Sequence, residues 1–142
     1  MKSLKQSITV IFWALVGTFI VILGEFFIPA FGDLFRGSKL FLLPLAIFSL
    51  LGLVLLILVL KEKATRKIEK FLILTGASAA GFFIFVLLHN FVYGLFIHLF
   101  GESFWGRIGV GDEPFFFFLA VIVCPVGFLI GAIGSIVLLI KK

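Results

Sequence analysis

Polar residues divide this chain into four long apolar runs, residues 8–30, 40–60, 71–100 and 115–140, joined by short charged segments. Each run reaches the roughly 20 residues that a helix needs to cross a bilayer core of about 30 Å. Lipid offers the backbone no hydrogen-bond partners, so every run is expected to be helical throughout. The third run is the longest. At about 1.5 Å per residue it would reach about 45 Å, so its end should project beyond the lipid or break near Gly94. The pattern predicts an all-α, integral membrane bundle of four transmembrane helices, forming one domain over residues 1–142.

The charges between the runs predict an orientation. Residues 61–70 hold five basic residues against two acids, and Lys2, Lys5, Lys141 and Lys142 flank the outermost runs. These three segments fall on one side of a four-helix topology, which the positive-inside tendency makes cytoplasmic. Asp33, Arg36 and Lys39 follow the first run, and Glu102, Arg107, Asp112 and Glu113 follow the third, facing outward. A basic start before an apolar run also marks signal peptides. The first run is longer than a signal-peptide core and no small-x-small cleavage site follows it, so it is expected to be retained.

Composition agrees with lipid as the solvent. The chain is 63% hydrophobic and 13% charged, where a soluble domain carries about 25% charged residues. Its mean hydropathy is +1.34. A net charge of +5 would suit nucleic acid, but the basic residues sit at the ends of apolar runs, where lipid headgroups account for them. Membrane lipids are therefore expected partners and nucleic acid is not. The single cysteine, Cys124, excludes an intramolecular disulfide.

Punctuation and small residues refine the helices. Asp112, Glu113 and Pro114 should open the fourth helix, with acids at its positive end and Pro in its first turn. Pro125 frees the carbonyl of Val121 and should kink it. Ala120, Cys124, Gly127, Gly131 and Gly134 share one face, as membrane helix packing favours. Ala14, Gly17, Thr18, Val21 and Glu25 form a related stripe on the first helix. The third carries Thr75, Ser78, Phe82, His89 and Tyr93 on one face. The second is Leu-rich and is expected to face lipid over most of its surface. The aromatics that crowd the outer boundary suit an interfacial belt, and their many Phe residues also suit a greasy pocket.

Two residues interrupt the apolar pattern. Glu25 lies inside the first run, where an ionised carboxylate costs roughly 2.5–3.5 kcal/mol. It stands 17 residues into its run and His89 stands 18 into the third. Both then rise about 26 Å from the inner boundary. Glu25 is therefore expected to approach His89, with Tyr93 one turn above, Asn90 nearby, and Thr18 and Ser78 as further polar support. Such a pair reads first as a contact that fixes the first helix against the third; Glu25 snorkelling to the interface is one alternative, and a proton relay, a substrate counter-charge or a metal site another, since imidazole titrates near neutral pH. His98, Glu102, Asp112 and Glu113 share the outer surface and form a weaker candidate ligand set. His89 and His98 fall on opposite sides of a straight helix, against a shared metal. No cofactor or metal is expected.

The sequence contains no catalytic constellation, so the leading expectation is a non-enzymatic multi-pass membrane protein, an accessory or assembly subunit in the cell membrane. It would act as a homo-oligomer or within a larger complex. The alternative is a homo-oligomeric transporter or channel using Glu25 and His89 as its proton or substrate site. A lipid-, quinone- or metal-binding membrane protein is the third. Four helices with an acid in the first give an architecture that resembles small multidrug-resistance transporters. This chain departs from them in its greater length and in Glu25, which lies nearer the outer end than a shared midplane carboxylate should.

Overall fold

A computed structural model describes residues 2–62 and 66–141. Lys63 and Lys142, which contribute to the charge argument above, lie outside the described residues. The described chain is helical without strands: α1 (Lys2–Phe27), α2 (Pro29–Gly32), a 3₁₀ turn (Lys39–Leu42), α3 (Leu43–Glu62), α4 (Arg66–Phe100), α5 (Phe104–Arg107), α6 (Pro114–Phe118), a π turn (Leu119–Val123) and α7 (Cys124–Ile140). The π turn joins α6 and α7 into one helix, Pro114–Ile140. Four helices are thus long and apolar enough to cross a membrane: α1, α3, α4 and α6–α7, called the first to fourth long helices below.

The helix ends follow local chemistry. The first long helix stops at Phe27, short of the expected 30. Ile28 precedes Pro29 and takes extended angles (φ −109°, ψ 105°), because the proline ring disfavours α geometry in the residue before it. The third begins at Arg66, so its polar lead-in is helical too, and it runs unbroken through Gly94 to Phe100. At 35 residues it spans about 52 Å. Gly101, at φ 92°, ends it by donating its N–H to the carbonyl of Ile97 at 2.8 Å, a left-handed cap that suits glycine.

The helices pack in chain order: first on second, second on third, third on fourth. Neighbours are antiparallel, since Gly127, Gly131 and Gly134 meet Ser78, Thr75 and Phe71 in reverse sequence. The connections 28–42 and 101–113 therefore share one end, the far end, opposite the chain termini.

Small residues set the closest seams. A Cβ on Gly52 would lie 2.6 Å from the Ala79 Cβ and 2.7 Å from the Ala80 nitrogen, and one on Gly76 would lie 2.9 Å from the Gly52 carbonyl. Across the same seam the Ser49 hydroxyl donates to the Ala79 carbonyl at 2.9 Å. A Cβ on Gly131 would lie 2.5 Å from Thr75 Oγ1 and 2.7 Å from its nitrogen. Close backbone approach of this kind is how helices associate in lipid, where apolar surface alone gives no drive.

One expectation about faces is corrected. The second long helix is not the lipid-facing member. It lies between the first and third, and 39% of its apolar stretch is buried, the highest share of the four. The first is the least buried, at 17%. Its stripe is uncovered at Ala14 and Val21, which are exposed, and at Gly17, which has nothing within 4 Å of its Cβ position, while Glu25 at its end is buried. A helix that is apolar all round carries no pattern to separate a protein-facing side from a lipid-facing one.

Candidate functional site

Glu25 and His89 do not pair. Glu25 is 2% exposed, and among the described residues neither carboxylate oxygen has a hydrogen-bond partner. The chain folds back over it: a Cβ on Gly32 would strike the Glu25 carbonyl oxygen at 2.5 Å. The expected contact assumed that the first and third helices are neighbours. The second helix instead packs between them, and equal depth does not bring side chains together.

His89 turns to the opening of the fourth helix. Its Nδ1 lies 3.0 Å from the Glu113 carbonyl oxygen and 3.2 Å from Glu113 Oε2. Both partners only accept, so Nδ1 carries the proton. Nε2 faces Asp112 Oδ1 at 3.6 Å. The ring is 15% exposed and lies between Tyr93 and Phe117, with centroids 6.4 and 5.6 Å away.

Glu113 is the centre of this arrangement. It is buried and caps the fourth helix: Oε1 accepts from the Phe115 N–H at 2.7 Å, and Oε2 from the Phe116 N–H at 3.0 Å. Pro114 takes the first helical position, where a missing N–H does no harm. Asp112 Oδ1 accepts from the Glu113 N–H at 2.7 Å. One carboxylate thus satisfies free helix donors and ties the far-end loop to the third helix. Reading Glu113 as a helix-opening acid found the cap. It missed the tie, because the cap signal is local and His89 lies 24 positions away.

The remaining far-end residues support this latch. Trp105 is buried and stacks on Tyr93 at 5.8 Å with planes 10° apart, and its Nε1 donates to the Tyr93 carbonyl at 3.2 Å. Phe96 and Phe104 complete the aromatic cluster. Part of the expected belt is therefore an internal pack that seats the loop on the third helix. Asn90 is exposed and donates to the Val86 carbonyl, and Thr18 donates to Ala14, so neither supports Glu25 or His89. Ser78 lies against Gly127 instead. His98 and Glu102 are exposed while Asp112 and Glu113 engage His89, so the four do not converge. Among the described residues no three His, Cys, Asp or Glu side chains form a metal-binding group.

The second feature is an apolar cleft of about 370 Å³ in the far-end half of the bundle. Its walls come from Phe19, Ile22, Leu23, Phe26 and Phe27 of the first long helix, Leu45 and Phe48 of the second, Phe82 of the third, and Val121, Cys124, Pro125 and Leu129 of the fourth. Pro125 has no N–H, and its ring crowds the preceding turn. The chain widens into the π turn over Leu119–Val123 just before it, so the expected disturbance takes this form. No wall residue carries a charged or strongly polar side chain, and Cys124 serves as a small hydrophobe.

The chain matches no protein-family model, no curated protein and no solved structure.

Proposed function

We propose that this chain is a non-enzymatic accessory or assembly subunit of a membrane complex, with both termini on the cytoplasmic side of the cell membrane. One observation carries the reading: the bundle is tight on one side and open on the other. The second, third and fourth long helices share glycine seams, and the His89–Glu113 latch spends the far-end polar groups on holding that unit together. The first long helix packs chiefly on the second and leaves Ala14, Gly17 and Val21 uncovered. A firmly built scaffold with one lightly held helix suits a chain that presents a face to another subunit. The basic residues at the terminal end support the orientation.

Cross-linking in native membranes, followed by mass measurement of the solubilised complex, tests this. The expected result is a larger assembly cross-linked through positions 10–21. A species of one chain with lipid alone would overturn it. Reporter fusions at both termini test the orientation.

A transporter or channel built from several copies is the second reading. It rests on Glu25 alone, a buried carboxyl without a hydrogen-bond partner among the described residues. Ion flux into vesicles that is abolished by Glu25→Gln would favour it over the subunit reading.

A further inference from the structure

We propose that the cleft between the first and fourth long helices is a binding site for one hydrocarbon chain of a membrane lipid, entering sideways from the bilayer. The proposal rests on reading the four long helices as membrane-spanning. Its own support is the chemistry, position and construction of the cleft.

The chemistry selects the occupant. A space of about 370 Å³ lies within the size range of small-molecule sites. Ordered water needs two to four polar partners, and these walls offer none from their side chains. A charged or amphipathic ligand would likewise find no counter-group, because Glu25 is not a wall residue. The remaining fit is a flexible, uncharged chain whose headgroup stays outside.

Position supplies that chain. The walls use the last third of the first long helix, the opening turns of the second and the middle of the fourth, so the cleft opens at hydrocarbon depth in the far-end half of the bundle. Phe27 and Val121, on its two flanks, are exposed and continue the apolar surface outward. Toward the termini the cleft closes on three rings: Phe19 lies 4.7 Å from Phe128 and 5.9 Å from Phe48, and Phe48 lies 4.9 Å from Phe128. A chain entering from the far-end leaflet would end on this aromatic floor. The π turn and Pro125 shape the fourth-helix wall through its backbone, so side-chain adjustment alone does not close the gap.

Cys124, the one cysteine of the chain, lines the cleft and reports on it. The full-length protein is reconstituted in phosphatidylcholine vesicles whose lipid carries a diazirine midway along one acyl chain, irradiated, and its adducts mapped by mass spectrometry. Adducts are expected at Cys124 as well as at lipid-facing Ile133. Leu129→Trp places a large ring in the cleft from a half-exposed position. It should reduce the Cys124 adducts several-fold and leave those at Ile133 unchanged. Val121→Trp, about two turns nearer the far end on the same helix, repeats the test if the first variant does not fold. A parallel arm with an isoprenyl-chain diazirine probe separates the two sources of hydrocarbon, and labelling of Cys124 by either chain supports the site. Adducts at Ile133 with none at Cys124, or Cys124 adducts that survive both tryptophans, would overturn the proposal. Loss of adducts at both positions would overturn the membrane-spanning reading itself.

Discussion

The two sides of this bundle are built from opposite kinds of residue. Where the third and fourth long helices meet, Gly127, Gly131 and Gly134 let one backbone lie against Ser78, Thr75 and Phe71. Where the first and fourth face each other, Phe19 and Phe128 hold them apart through rings 4.7 Å between centroids, and a cleft remains beyond the rings. The cleft side is the more apolar of the two, since the seam includes the Ser78 and Thr75 hydroxyls. Hydrophobicity therefore does not decide which helices close up, and side-chain size does. In lipid, a seam forms where backbones approach closely enough for dispersion and polar contacts to add up. Bulky rings meet at a few points and leave space between them.

The most direct way to break this contrast is Gly131→Val. Its added atoms would meet backbone atoms of Phe71 and Thr75, which yield less easily than a flexible side chain. Overpacking of this kind is expected to cost about 3 kcal/mol, measured by reversible unfolding in mixed micelles. A loss below 1 kcal/mol would mean that the seam is looser than its geometry. Next in size is Glu113→Ala, which removes a helix cap and a charge-assisted partner of His89. A loss of about 2 kcal/mol is expected. Glu113→Gln should recover part of it, since an amide oxygen still caps. If Glu113→Ala leaves stability and Trp105 fluorescence unchanged, the latch does not hold the far end together.

Two smaller effects test the open side. Glu25→Leu replaces a buried carboxyl that has no hydrogen-bond partner among the described residues with an apolar side chain of similar size. Stability should stay level or rise by up to about 1 kcal/mol. A clear loss would show that Glu25 has a partner in the assembled protein. Gly17→Ala meets open space and gains helix propensity, so a change of no more than about 1 kcal/mol, in the stabilising direction, is expected. If that variant also loses its cross-linked partner in native membranes, the uncovered stripe of the first helix is the docking face. An unaffected assembly would place the contact elsewhere.

Much of this architecture was legible in the residues. The four apolar runs correspond to the four long helices, and Glu113-Pro114 marked the start of the fourth. The order of packing was not legible. Leu dominates the second helix, so the two small residues that mark its seam with the third, Ser49 and Gly52, were outweighed, and the helix was read as facing lipid. The stripe of Ala14, Gly17 and Val21 was legible as spacing, but spacing does not say whether such a face is covered within the chain, and here it is not. The Glu25–His89 contact failed for a related reason: depth along a helix follows from counting residues, while contact also requires the right neighbour and the right rotation.

What the sequence determined by itself was the elements, four helices long and apolar enough to cross a membrane. Apolar runs of this length leave the backbone no stable alternative to helix in lipid, and proline and glycine end those helices by local sterics. The tertiary structure decided which helices touch, that His89 serves Glu113 rather than Glu25, and that a cleft stays open beside Cys124. These depend on how closely particular backbones approach, which is settled by the shapes of side chains brought together from distant parts of the chain.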